Sequence, residues 1–216
     1  MRNFLRVAAA VALTSILTGC GGDGKDETQG TAGKDVCDHF AAASDVADAL
    51  SFVGNTENFT EVGSKPKETL ASLRSADGKV DDTQELQGSP YCSLKAADGE
   101  ERILTIYFRE AATVDEADSE AEKTFTFYNT GASAMGTDRL ASIYFRCPMK
   151  SPNKTIIVNG TLERENKVEA SGKEVAAKQM TVMNAAALKV AGELGCVDTH
   201  LNAGAPKAVS GVYAGR

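Results

Sequence analysis

Apolar residues recur at helical intervals in three parts of the chain. After Asp35, which can cap a helix, five of them follow steps of 4, 3, 4 and 3: Val36, Phe40, Ala43, Ala47 and Leu50. A shorter pattern begins at Ser64, with Pro66 in its first turn. The longest stripe follows a capping-box sequence at residues 171–174 and ends before Gly195. Its members are Ala176, Met180, Met183, Ala187, Val190 and Leu194. These spacings predict three helices, each burying one face.

Other segments have the composition of strands, because they are rich in β-branched and aromatic residues. They are residues 90–97, 102–109, 124–128, 140–147 and 155–164, with a weaker one at 56–62. Asp98-Gly99 is a strong hairpin signal between two of them. Residues 131–136 are predicted to be a loop. We therefore predict an α+β fold in which an antiparallel sheet packs against helices.

The first residues have the features of a secretory signal peptide. Arg2 and Arg6 precede an uncharged apolar run at residues 7–17, which is too short to span a bilayer. We expect residues 1–19 to be removed during export.

The signal ends in Leu17-Thr18-Gly19-Cys20, which resembles the lipobox of bacterial lipoprotein precursors. The resemblance implies cleavage before Cys20 and a diacylglycerol on its sulfur, which would anchor the protein to the extracytoplasmic face of the cell membrane. Residues 20–34 are Gly-rich and polar and are predicted to form a flexible tether. The folded domain is then expected at residues 35–198, and residues 199–216 are expected to be a loosely ordered tail.

Four cysteines remain besides Cys20: Cys37, Cys92, Cys147 and Cys196. An even number in an oxidising compartment indicates two disulfides, and three pairings are possible. Each half of the domain has a Cys-bearing helix and a hairpin with a Cys-bearing strand. Pairing the helix and hairpin within each half predicts Cys37–Cys92 and Cys147–Cys196, with two related lobes each closed by a disulfide.

The alternative for these residues is a zinc site, because two cysteines and two histidines are the ligand types that a tetrahedral zinc ion needs. Cys37 and His39 lie near one end of the domain, and Cys196 and His200 near the other. Neither pair has Cys-x2-Cys spacing, so we favour the disulfides. No metal and no cofactor is predicted.

Three cysteine-containing sequences add a second resemblance. Tyr91-Cys92-Ser93, Tyr144-Phe145-Arg146-Cys147-Pro148 and Leu194-Gly195-Cys196, together with the lipobox, are similar to uncharacterised lipoproteins of actinobacteria. The resemblance implies a small extracytoplasmic domain, related in general type to ligand-sensing modules. It supplies no catalytic residues.

Charge and composition reduce the number of function classes that the sequence allows. The 216-residue chain has a formal net charge of −7, which argues against nucleic acid as a partner. Its histidines are His39 and His200, and neither lies in a recognisable catalytic motif. The sequence at 131–136 is a poor match to a nucleophile elbow, since its second glycine is one place late. We predict that the protein is not an enzyme.

Aromatic residues cluster on the predicted strands, where alternation sends one set into the core and leaves another free to line a groove. They are Tyr107, Phe108, Phe125, Phe127, Tyr128, Tyr144 and Phe145. The sequence favours a membrane-anchored binding or sensing module for a small ligand, a lipid or an envelope protein. The alternatives are a structural or regulatory envelope protein and, more remotely, a hydrolase.

Overall fold

The computed structural model describes residues 30–80, 89–114, 121–167, 169–170 and 172–210. These residues form an α+β domain in which one antiparallel sheet packs against helices, so the predicted fold class is confirmed. The predicted signal peptide, residues 1–19, and Cys20 lie outside the described residues.

The strands and helices are as follows. The strands are β1 (Thr31–Ala32), β2 (Asn58–Glu61), β3 (Pro90–Ala96), β4 (Arg102–Ala111), β5 (Thr126–Tyr128), β6 (Ser133–Gly136), β7 (Leu140–Lys150), β8 (Asn153–Arg164) and β9 (Ala208–Val209). The helices are α1 (Ser44–Gly54), α2 (Pro66–Ser75), the single turn α3 (Ala121–Thr124) and α4 (Gly172–Leu194). No helix within the described part of the chain is long and apolar enough to cross a membrane.

The sheet joins the two halves of the sequence. Its strand order is β1-β2-β3-β4-β8-β7-β6-β5-β9, and each neighbouring pair is antiparallel. The pairing of β4 with β8 places hairpin β3–β4 beside hairpin β7–β8. The two halves therefore share one sheet and one continuous core.

Strand alternation explains which residues enter that core. Leu104, Ile106 and Phe108 alternate along β4 and are buried beneath the helices. Gly160 lies beside Phe108 in the neighbouring strand, facing Met183 of α4. A Cβ atom there would lie 2.5 Å from Met183 Cε and 2.6 Å from Phe108 Cε1, so the position excludes larger residues.

The prediction of a helix starting after Asp35 was wrong. Residues 33–39 form two short 3₁₀ turns, and α1 starts only at Ser44. Cys37, Asp38 and His39 have φ values of 46°, 59° and 59°, which an α-helix cannot contain. The Cys37 N–H donates to Glu61 Oε1 at 2.8 Å, so this backbone donor has a side-chain partner outside any α-helix.

The folded region extends further than predicted at both ends. Thr31 and Ala32 pair with β2, so residues 31–34 belong to the domain rather than to a tether. At the other end, residues 199–210, which we call the C-terminal strap, are anchored rather than loose, because β9 pairs with β5. Residues 131–136 also differ from the prediction, since β6 pairs with β7 there.

Candidate functional site

The four domain cysteines form the two predicted disulfides. Cys37 pairs with Cys92 and Cys147 with Cys196, with Cα–Cα distances of 5.6 Å and 4.8 Å. Because all four sulfurs are bonded in this way, none of them is a thiolate available to ligate zinc in this structure. Within the described residues, no cluster of three or more His, Cys, Asp or Glu side chains is placed to hold a metal ion.

Both histidines lie on the surface, and in the described structure neither is hydrogen-bonded to a serine hydroxyl. His39 Nδ1 lies 3.4 Å from Asp35 Oδ1, and the His39 side chain is 68% exposed. His200 is exposed, and its backbone carbonyl accepts a hydrogen bond from Gly131 at 3.0 Å. Ser133, the serine of the elbow-like sequence, is buried in β6 opposite Tyr144.

The aromatic residues divide between the two faces of the sheet as alternation requires. Phe108, Tyr128 and Phe145 belong to the core beneath the helices. Phe127 and Tyr144 are buried outside that core, on the opposite face. The opposite face also has a polar row, in which Arg109 Nε donates to Asn159 Oδ1 at 3.2 Å. The aromatic residues therefore serve mainly to pack the sheet.

A cleft of about 320 Å³ lies instead outside the sheet, between three segments of the chain. The segments are the turn before α1 together with the first turn of that helix, the middle of α4, and the C-terminal strap. The floor consists of apolar side chains from the first two segments. They are Phe40, Ala43, Val46, Ala185 and Leu188.

The strap forms the third wall of the cleft through Ala203, Gly204 and Ala205. It is held by Asn184, which is only 2% exposed in the middle of α4. Asn184 Nδ2 donates to the carbonyls of Asn202 at 2.8 Å and Gly204 at 3.3 Å. The small side chains of the strap leave the cleft open above the floor.

A second set of hydrogen bonds completes this anchor. Thr130 Oγ1 donates to Asn184 Oδ1 at 2.6 Å and accepts from the Asn202 N–H at 3.0 Å. Asn202 Nδ2 donates to the Asn129 carbonyl at 2.9 Å, and Asn129 Oδ1 accepts from the Lys207 N–H at 2.7 Å. Both ends of the Asn184 amide thus have hydrogen-bond partners inside the protein.

Five polar side chains contribute to the cleft, and Asp45 is the most distinctive of them. Lys189 Nζ lies 3.1 Å from Glu193 Oε1, and His39 lies beside Asp35. Thr181 Oγ1 donates to the Ala177 carbonyl at 3.0 Å. Asp45 is exposed, and no ion pair is found for it among the residues that the structure describes. The cleft therefore combines an apolar floor with one unpaired negative charge at its rim.

Sequence reasoning missed this site because no catalytic or ligand-binding motif marks it. The available signal was Asn184, a residue unfavourable in a helix interior and surrounded by the apolar residues of the α4 stripe. Its partners in the strap are backbone carbonyls, which a pattern of side chains does not reveal.

Comparison with known proteins gives no relative from which a function can be transferred. No protein-family model matches the chain, and no curated protein or solved structure matches it either. A functional assignment must therefore come from the chemistry of this chain.

Proposed function

We propose that this protein is a membrane-anchored extracytoplasmic lipoprotein whose domain is a non-catalytic binding module for a small ligand. The observation that carries the binding role is the cleft between α1, α4 and the C-terminal strap. Its volume of about 320 Å³ falls at the lower end of the range of small-molecule sites. Its apolar floor and few polar groups are the usual composition of such sites.

Two features support the extracytoplasmic location. The leader has a basic start, a short apolar run and a lipobox-like sequence ending at Cys20. The two disulfides are the state of cysteine that oxidising compartments favour. An acyl-anchored domain of this kind would present its cleft outside the cytoplasm.

The groups around the cleft favour binding over catalysis. Thr181 contributes the one hydroxyl among the lining side chains, and this hydroxyl donates to a backbone carbonyl rather than to a base. A nucleophile needs an adjacent base to be activated at neutral pH. The imidazole in the cleft, that of His39, lies beside the Asp35 carboxylate and is not the acceptor of the Thr181 hydroxyl.

The anchor is tested by expressing the wild-type chain and Cys20→Ser in a bacterial host that processes lipoproteins. We expect the wild type in the membrane fraction, with a mass shift for the acyl chains on the peptide that begins at Cys20. The Cys20→Ser chain should be unprocessed and unacylated. Equal membrane retention of both proteins, without acylation of the wild type, would contradict the anchor.

The binding role is tested by a fragment screen, monitored by NMR, on the purified protein. Ala203→Phe should fill the cleft from its exposed wall and abolish binding of the fragments found. Ala208→Phe, also exposed on the strap but outside the cleft lining, should leave binding unchanged. Fragments that bind the wild type and Ala203→Phe equally would place binding elsewhere and overturn this role for the cleft.

A further inference from the structure

We propose that the cleft selects a ligand that joins an apolar body to a positively charged amine, with the ammonium group held at Asp45. This inference rests on the proposed binding role of the cleft. It concerns the chemical class of the ligand, which the volume of the site does not determine.

The pairing of charges around the cleft carries the inference. Both basic lining side chains already have a carboxylate beside them: Glu193 for Lys189 at 3.1 Å, and Asp35 for His39 at 3.4 Å. Asp45 is the charged lining residue for which the described structure contains no such partner. An anionic ligand would have to displace an existing carboxylate, whereas an ammonium group would meet one that is free.

The position of Asp45 in α1 reduces this preference but does not reverse it. Asp45 lies in the first turn, where the helix dipole amounts to roughly half a positive charge. A full carboxylate charge exceeds that amount, so the negative charge of Asp45 still dominates at this end of the helix. The whole chain has a formal net charge of −7, which acts in the same direction.

The floor explains why the ligand also needs an apolar part. Phe40 and Val46 are buried beneath the cleft, and Ala185 and Leu188 are partly buried beside them. The polar groups that interrupt this surface, Thr181 and Asn184, have their hydrogen bonds inside the protein. A polar ligand group would therefore gain little hydrogen bonding from the floor, which favours contact with an aliphatic or aromatic body.

Three probes of similar size and different charge test the inference on the purified full-length protein. They are 2-phenylethylamine, 2-phenylethanol and phenylacetate, with affinities measured by NMR titration. We expect the amine to bind most tightly and phenylacetate most weakly. Asp45→Asn should weaken the amine by about threefold to fivefold, as an exposed ion pair allows, and leave the alcohol unchanged.

Asp48→Asn is the matched control, since it removes the same charge from an exposed position of the same helix outside the cleft lining. It should leave the amine affinity close to that of the wild type. Equal binding of all three probes, or an equal effect of both substitutions, would overturn selection by Asp45 while leaving the binding role of the cleft intact. Failure of every probe to bind, when the fragment screen has found other ligands in the cleft, would overturn the inferred ligand class alone.

Discussion

The side-chain amide of Asn184, in the middle of α4, donates a hydrogen bond of 2.8 Å to the backbone carbonyl of Asn202 in the C-terminal strap. The same side chain accepts a bond of 2.6 Å from Thr130, which follows β5. One buried amide thus joins the longest helix, the segment after β5 and the strap. The cleft depends on this junction, because the strap is one of its walls.

Asn184→Ala should destabilise the protein by about 1–3 kcal/mol, since it removes a partner of the buried Thr130 hydroxyl and of the partly buried Asn202 carbonyl. Urea unfolding would measure the loss, and hydrogen exchange should show faster exchange within residues 202–209. Asn153→Ala, at the exposed β7–β8 turn, serves as the control and should change stability little. Unchanged exchange in the strap of Asn184→Ala would contradict the anchoring role of this residue.

Regular apolar spacing predicted the central elements of the fold closely. The α4 stripe gave a helix within a residue or two of Gly172–Leu194, because its apolar face packs against the sheet. The strands around residues 102–109 and 155–164 were also predicted, since their β-branched and aromatic residues form the centre of the sheet. Their pairing across the two halves was not predicted, because it depends on tertiary packing.

The errors have specific physical causes. The spacing of Val36 and Phe40 imitated a helix, but left-handed backbone at residues 37–39 breaks it. β6 consists of small residues and Met135, and it is a strand because β7 supplies its partner. The strap is anchored largely through backbone groups and the side-chain amides of Asn129, Asn184 and Asn202. None of these features has a side-chain period, and two of them, the turn at residues 37–39 and the strap, contribute to the cleft.

The disulfides should contribute substantially to stability. Each closes a loop of about 50 residues, as the sequence separations of 55 and 49 show. Replacing Cys147 and Cys196 together by serine should cost about 2–5 kcal/mol. Thermal unfolding of the double variant would measure the loss, and a reductant should then destabilise it further through Cys37–Cys92.

Peptide mapping without reduction supplies the independent check on connectivity. The oxidised wild type should yield Cys37–Cys92 and Cys147–Cys196 peptides and no crossed pair. Detection of free thiols in the purified wild type would contradict the stabilising role, as would a double variant as stable as the wild type.

Arg164 is a buried cation whose guanidinium donates to backbone carbonyls. Its Nε and Nη2 atoms donate to the Asp138 carbonyl at 3.0 Å and 2.6 Å, and its Nη1 atom donates to the Asn166 carbonyl. Burial lowers the pKa of Arg164, and the nearby charge of Arg139 lowers it further. The guanidinium donors of Arg164 therefore link the turn between β6 and β7 to the residues that follow β8.

Arg164→Lys should therefore destabilise the protein despite conserving the charge, because an ammonium group cannot reach both carbonyls with the same geometry. We expect a loss of about 1–3 kcal/mol in urea unfolding, set by the carbonyls left unpaired. Arg139→Lys, at an exposed neighbouring position, is the matched control and should be nearly neutral. Equal stability of the two variants would show that the guanidinium donors of Arg164 are dispensable.

Tyr128 gives the fold a measurable response to alkaline pH. Its side chain is buried in the core, and desolvation raises its pKa from 10.0 to about 12. Between these values the unfolded chain loses the phenol proton while the folded chain retains it. Stability is therefore unaffected by this group below pH 10 and falls as the pH rises from there towards 12. Burial also raises the pKa of Tyr91, which adds to the same decline.

Tyr128→Phe separates this effect from ordinary core packing. The Tyr128 hydroxyl is buried and has no hydrogen-bond partner among the described residues, so its removal should be neutral or stabilising at pH 7, by up to about 1 kcal/mol. The variant should also lose less stability than the wild type between pH 10 and 12. Urea unfolding at a series of pH values measures both differences. A variant that is clearly destabilised at pH 7 would show that the hydroxyl has a partner in solution, and a parallel decline of both proteins would assign the alkaline response to Tyr91.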